Sequence, residues 1–352
     1  MEYGRSRWVY ISIYTADEPD VINELINTPE MQRLSGVGMH CGCEYTSLTR
    51  YMREKHPYSR LTHSIGVSRI IRHFTKDIKQ TVAGLLHDVA TPVFAHTIDF
   101  MNNDHITQES TEDGTRSFIN NSANIMALLD KHHIKPEDVS DYHVYPIADN
   151  DTPMLSADRL DYTLGNGYLV SGYSLREVRD MYDDLIIAEN ELGVPELCFQ
   201  SVDVVKAFSN MAMINSRLYV SDEDRFAMQK LAEIIRNAIR SGVLTPDDLY
   251  TTESEVIAKL KNDRELSAAW DSYTRISSVS ISPGVLCDRY CVNVSAKKRY
   301  IDPLVMTENG AKRISKIDAE IKRDIAAFLD MDFNYWIYAD ENGYRPAPRT
   351  VN

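Results

Sequence analysis

Val82-Ala83-Gly84-Leu85-Leu86-His87-Asp88-Val89-Ala90-Thr91-Pro92 sets an imidazole and a carboxylate directly after five residues that carry no polar side chain. Val82, Leu85, Leu86 and Val89 recur at helical spacing, which predicts a short, deeply buried helix stopping at Thr91-Pro92. Thr91 is then the expected cap of the next helix, with Pro92 at its first position. Burying His87 and Asp88 without partners would cost on the order of several kcal/mol. A divalent cation binding both removes that cost, because neutral imidazole and ionised carboxylate are good transition-metal ligands. For an isolated pair, a buried ion pair or a hydrogen-bonded core histidine is the competing explanation.

Two further segments give the pair company. Twenty-four residues before His87, His63 stands in Tyr58-Ser59-Arg60-Leu61-Thr62-His63-Ser64-Ile65-Gly66-Val67, and Leu61, Ile65, Ile70, Ile71 and Phe74 predict a helix over 61–74. Seventy residues after Asp88, Asp158 stands in Ser156-Ala157-Asp158-Arg159-Leu160-Asp161-Tyr162. Thr152-Pro153 is expected to open that helix, and Gly165 and Gly167 to end it. A helical bundle builds a metal site from side chains that several helices direct inward. Two His and two Asp would accept one divalent transition-metal ion, whether manganese, iron, nickel, cobalt or zinc.

Taken in order, Arg60 to Val67, then Leu85-Leu86-His87-Asp88-Val89-Ala90-Thr91-Pro92-Val93-Phe94-Ala95-His96, then Ala157 to Tyr162, resemble the HD-domain metal-dependent phosphohydrolase superfamily. The likeness is greatest to its dNTP triphosphohydrolase (dGTPase-like) branch. Asn27-Thr28-Pro29-Glu30-Met31-Gln32-Arg33-Leu34 also resembles the way that branch begins, and the likeness covers roughly residues 20–175. The resemblance implies that His63, His87, Asp88 and Asp158 are metal ligands, that Arg60, Arg159 and Tyr162 contact substrate, and that His96 and Asp99 act at the attacked phosphorus. Arg60 suits bidentate contact with a phosphate. Tyr162, one helical turn after Asp158, shares its face. The resemblance further implies a mainly α HD-domain helical bundle, a small phosphorylated, nucleotide-like substrate and homo-oligomeric assembly.

The chain departs from that branch at four places. Thr91 replaces a histidine, Gln108 replaces a second one (with His105 nearby), Asn166 replaces an aspartate, and Met39-His40 stand near the sugar-reading position. The metal residues are retained while the triphosphate and sugar contacts are altered, so a nucleoside monophosphate is as admissible a substrate as a dNTP. Two other readings stay open. One is a catalytically silent nucleotide- or metal-binding regulatory module. The other is a di-iron HD-type oxygenase drawing on His96, His105, His132, His133 and His143.

Length and charge bound the rest. The 352 residues suffice for a large core with a satellite subdomain. Residues 1–18 read as an N-terminal strand or arm, 19–275 as a helical body and 276–352 as a small α+β subdomain, with strands around Val279–Leu286, Tyr290–Val294 and Asn334–Tyr338. The net charge of −14 argues against an extended nucleic-acid or anionic-membrane surface. No apolar run approaches the roughly eighteen residues of a membrane span. Five scattered cysteines form no disulfide framework, so a cytoplasmic protein is expected.

Overall fold

Residues 11–48, 58–102 and 114–340 are described by the computed structural model. Most of the described helices open where short polar side chains accept backbone N–H groups. α1 (Asp20–Ile26) is followed by α2 (Pro29–Arg33), whose cap Thr28 accepts from the Met31 amide, with Pro29 in the first turn. α3 (Arg60–Thr75) is capped by Ser59, and α4 (Ile78–Leu86) by Asp77, which takes the amides of Lys79 and Gln80. α5 (His96–Met101), α6 (Thr115–Asn121) and α7 (Ala123–Lys131) precede α8 (Ala157–Leu169), capped by Ser156, and α9 (Leu175–Asp183).

A hairpin of β1 (Leu185–Glu189) and β2 (Pro195–Phe199) comes next, then the long α10 (Val202–Tyr219) and α11 (Asp222–Arg240), and α12 (Glu253–Asn262) with α13 (Arg264–Thr274). The C-terminal portion supplies β3 (Val279–Ser282), β4 (Cys291–Val292), β5 (Leu304–Thr307), β6 (Gly310–Arg313), α14 (Ala319–Leu329) and β7 (Trp336–Ala339). The strands form two sheets, ordered β1-β2-β5-β6 and β3-β7-β4. Among the described strands only the β2–β5 pair is parallel, with Cys198 opposite Leu304 and Phe199 opposite Val305. The molecule is mainly α with α+β character towards the C-terminus.

Two apolar cores result. One packs α3, α4, α8 and α10 through residues such as Leu61, Ile65, Leu85, Leu160 and Phe208. The other joins α11 and α13 to the second sheet through Phe226, Leu231, Trp270, Tyr273 and Ile337. α3 and α8 approach closely at Gly66, where a Cβ would lie 2.0 Å from Asp161 Oδ1. Among the described residues, no helix is long and apolar enough to cross a membrane.

Four sequence expectations need correction. Residues 8–10 of the expected N-terminal strand lie outside the described residues, and Ile11–Tyr14 form a turn closed by Tyr14 N–H to Ile11 C=O, burying Ile11, Ile13 and Tyr14 in the larger core. Thr91 caps no helix: its hydroxyl donates to Asp88 Oδ1 at 2.7 Å, and α5 begins only at His96. Thr152-Pro153 does not open α8, which starts at the Ser156 cap and runs past Gly165 and Gly167, glycines that let Tyr58 and Met211 pack close. The helical body is interrupted by the β1–β2 hairpin, whose turn uses Gly193 at φ +72°.

Candidate metal centre

His63 lies in the first turn of α3, His87 and Asp88 directly after α4, and Asp158 in the first turn of α8. The helix termini therefore bring the four side chains to one point. His63 Nδ1 donates to Asp161 Oδ2 at 2.7 Å, and its Nε2 faces Asp158 Oδ1 at 2.9 Å and Asp88 Oδ2 at 3.9 Å. His87 Nδ1 donates to the Gly84 carbonyl at 2.7 Å, and its Nε2 faces Asp88 Oδ2 at 3.5 Å and Asp158 Oδ1 at 3.8 Å. Each imidazole is thus fixed from behind through Nδ1, which leaves both Nε2 atoms directed at two carboxylates. This is the donor arrangement by which proteins hold a divalent cation, with the rear hydrogen bond setting the tautomer. Among the described residues, His63, His87 and Asp88 bring their donor atoms within 4.8 Å of one another, and Asp158 meets the group through the two imidazoles.

The charges agree with that geometry. Burial opposes ionisation of Asp88, but Arg60, His87 and His63 outweigh it and hold the carboxyl far below the usual range. Asp158 is likewise buried and is held low by His63. Burial disfavours the charged form of His63, yet its hydrogen bonds to Asp158 and Asp161 raise it to about 10, so without metal Nε2 carries a proton towards Asp158, which a bound cation would displace. Arg60 Nη1 meets both oxygens of Asp88, at 3.2 and 3.0 Å, while its buried Nε has no hydrogen-bond partner.

The cluster forms the floor of a cavity of about 510 Å³ lying where the two cores meet, a size and setting usual for small-molecule sites. His96 lines it, with Nδ1 donating to the fully buried Asp99 at 2.9 Å. Phe94 and Ala95, at φ 58° and 40°, make the tight turn that delivers His96. For residues other than glycine such backbone costs roughly 1–3 kcal/mol each. Burial, then the charges of Arg299 and Arg60, lower the His96 pKa against the pull of Asp99. Tyr162 lines the cavity as well, its phenol pushed up to about 12 by burial. Arg159 is not among the lining residues: Nη1 donates to Asn150 Oδ1 at 2.5 Å and Met154 C=O at 3.2 Å, and lies 3.6 Å from Asp149. Gln108 and His105 lie outside the described residues.

Residues 60–151 match the family model described as HD domain, a span that includes His63, His87 and Asp88 and ends before Asp158. The chain carries an HD domain. Over 317 residues it is 27% identical to "Uncharacterized protein YdhJ" of Bacillus subtilis, covering 86% of this chain and 89% of that protein. Over 170 residues it is 25% identical to "Metal-dependent phosphohydrolase cns2" of Cordyceps militaris, covering 47% of this chain and 46% of that one. Two crystal structures share the fold. A hypothetical protein from Aquifex aeolicus has a TM-score of 0.65 at 17% identity, covering 94% of this chain and 95% of that one. A phosphohydrolase from Bacteroides thetaiotaomicron has a TM-score of 0.61 at 13% identity, covering 92% and 97%. The HD domain and these relatives indicate a hydrolase.

Around its HD motif the chain places further residues, among them His40 and Asn166, which the sequence marked as departures, and others it left without a role. Asp161 backs His63 and also accepts from the Tyr58 hydroxyl at 2.6 Å. Its spacing of three from Asp158 was the available signal. Tyr142 lies against His87 with ring centroids 4.9 Å apart. His40 Nε2 donates to Asn166 Oδ1 at 3.0 Å, and Asn166 Nδ2 donates to the Tyr219 hydroxyl at 2.7 Å, linking three elements along one wall. Lys297 and Arg299 join the lining from near the end of the chain, a placement with no local sequence signal.

Proposed function

We propose that this HD domain hydrolyses a phosphate ester or anhydride of a nucleotide-like substrate, with one divalent ion held by His63, His87, Asp88 and Asp158. The observation that carries the reading is the pair of rear-anchored imidazoles, whose Nε2 atoms converge on two ionised carboxylates inside a cavity. A divalent ion in that nest supplies Lewis acidity and neutralising charge for phosphoryl oxygens.

The chain's own groups supply the rest. Arg60 is pre-aligned by Asp88 and retains donors for a phosphoryl oxygen. Water attacks phosphorus and the bond to the leaving oxygen breaks. His96, held by Asp99 through Nδ1, delivers a proton from its second ring nitrogen to the leaving oxygen, while the proton lost by the attacking water passes to solvent and His96 is reprotonated for the next turnover. Tyr162 packs beside the substrate. Arg159 holds the 149–154 loop behind the site, and the direct phosphate contact falls to Arg60.

The test is phosphate release from dNTPs, nucleoside monophosphates and a generic aryl phosphate by manganese-reconstituted protein, beside Asp88→Ala. Orthophosphate or triphosphate released by the wild type and abolished in the variant supports the proposal and names the substrate class. Full metal occupancy without turnover on any compound would overturn it in favour of a regulatory nucleotide-binding module.

A further inference from the structure

One wall of the cavity comes from the segment joining β4 to β5, far from the HD motif in sequence. Ala296, Lys297 and Arg299 line the cavity, whereas Lys298 turns away and donates to the carbonyls of Leu329 at 2.5 Å and Met331 at 2.6 Å. Lys297 and Arg299, two residues apart, thus share the cavity side while Lys298 between them faces away. Both flanks of the segment are pinned. Arg225, fully buried, donates to the Val294 carbonyl at 2.5 Å. Asp302 N–H donates to the Pro153 carbonyl at 2.9 Å, and its own carbonyl accepts from Arg313 at 3.1 Å. Lys297 and Arg299 are therefore presented to the cavity by an anchored strap.

We propose that Lys297 and Arg299 form an anion subsite that holds a second phosphoryl group of the substrate, beyond the one taken at the metal cluster. Within a chain of net charge −14, two cations two residues apart on a cavity wall are a local departure from the average. Arg299 acts electrostatically on His96, Tyr162 and Tyr219, three groups that line the same cavity, so its charge is felt where a substrate would lie. Asp141 and Asp224 also line the cavity. The anion must therefore be held by directed guanidinium and ammonium donors rather than by a general positive field. The inference rests on the phosphohydrolase reading for the identity of the first phosphoryl group, not for the existence of the subsite.

Calorimetric titration of manganese-reconstituted protein with inorganic pyrophosphate and with orthophosphate tests it without requiring turnover. Wild type should bind pyrophosphate more tightly than orthophosphate. Losing charge-assisted contacts in the Lys297→Gln, Arg299→Gln double variant should weaken pyrophosphate about tenfold or more, with orthophosphate changed much less. Arg299→Lys, which keeps the charge, should recover part of the loss and guards against misfolding. Equal weakening of both anions, or no change in either, overturns the subsite. Selective loss of pyrophosphate binding in a protein that hydrolyses nothing would leave the subsite standing and the hydrolytic reading fallen. Hydrolysis by wild type with unaltered anion binding in the variants would do the reverse.

Discussion

Asp161 shows how much of the centre is decided one atom behind it. Fully buried, it takes the Nδ1 proton of His63 and the Tyr58 hydroxyl, and so keeps His63 Nε2 available. Asp161→Asn should lower metal affinity by about 10–100-fold, as removal of such outer partners does. Chelator competition would measure this, and unchanged affinity would show that the tautomer is set elsewhere. A second buried acid pair, Glu44 and Glu253, lies beneath the turn that delivers His96. Glu253 accepts from the Gly38 and Phe94 amides and the Tyr45 hydroxyl, while Glu44 Oε2 is buried without a partner. Burial raises both carboxyls to about 7 from an ordinary 4.5, reinforced by the Asp224 charge at Glu44 and by the Glu44 charge at Glu253. A carboxyl raised on folding binds its proton more tightly in the native state. Its contribution is whole below about pH 4.5 and is lost as pH climbs through about 7. Melting temperature should therefore fall between about pH 5 and pH 8, and Glu44→Gln should flatten that slope; an equally steep slope in the variant would count against the pair. Asp158 and Asp161 announce themselves by helical spacing, whereas Glu44 and Glu253 meet only through the tertiary fold, so no local pattern could pair them.

Helices α3, α4 and α8 were legible because apolar spacing and caps are local properties. The starts were less so. Thr91 and Thr152 both precede proline, yet each serves a loop, and Ser59 and Ser156 are the residues that cap. The β1–β2 hairpin escaped notice because Leu185-Ile186-Ile187-Ala188 is a short apolar run, equally compatible with a buried helix segment. At this scale the informative position is Gly66, which allows α3 to lie against α8. A methyl group there would strike Asp161 Oδ1, and turning that carboxylate aside would disturb its other oxygen, Oδ2, which holds His63 and Tyr58. Gly66→Ala should cost about 1–3 kcal/mol of stability, the usual penalty of overpacking. It should also weaken metal binding, through Asp161 and the His63 ring that Asp161 holds. Thermal unfolding with and without manganese would separate the two effects. A fully stable variant with wild-type metal affinity would show that the helices can part freely.

Across the whole molecule, the C-terminal strands are bound into the helical body. Arg313 on β6 donates to both oxygens of the fully buried Glu196 on β2, at 2.5 and 2.8 Å, and Glu196 also accepts from the Leu155 amide at 2.9 Å. Removing one partner of such a buried pair strands the other charge. Arg313→Ala should therefore lose about 3–5 kcal/mol in denaturant unfolding, against a smaller loss for the double variant Arg313→Met, Glu196→Gln. Equal losses would mean that the ion pair itself, rather than the stranded carboxylate, is what matters. None of this pairing was legible, because sequence patterns identify strands but not their partners.

The same sheet orders events in time. β2 meets its parallel neighbour β5 only after ~100 further residues have been made. At roughly 5–20 residues per second that interval lasts on the order of 5–20 s. Throughout it, the nascent hairpin carries an unsatisfied edge and a buried-to-be glutamate awaiting its arginine. Synthesis of this protein thus contains a window of exposure set by topology alone, during which a holding chaperone, or a slower ribosome, would decide how many chains reach the native state.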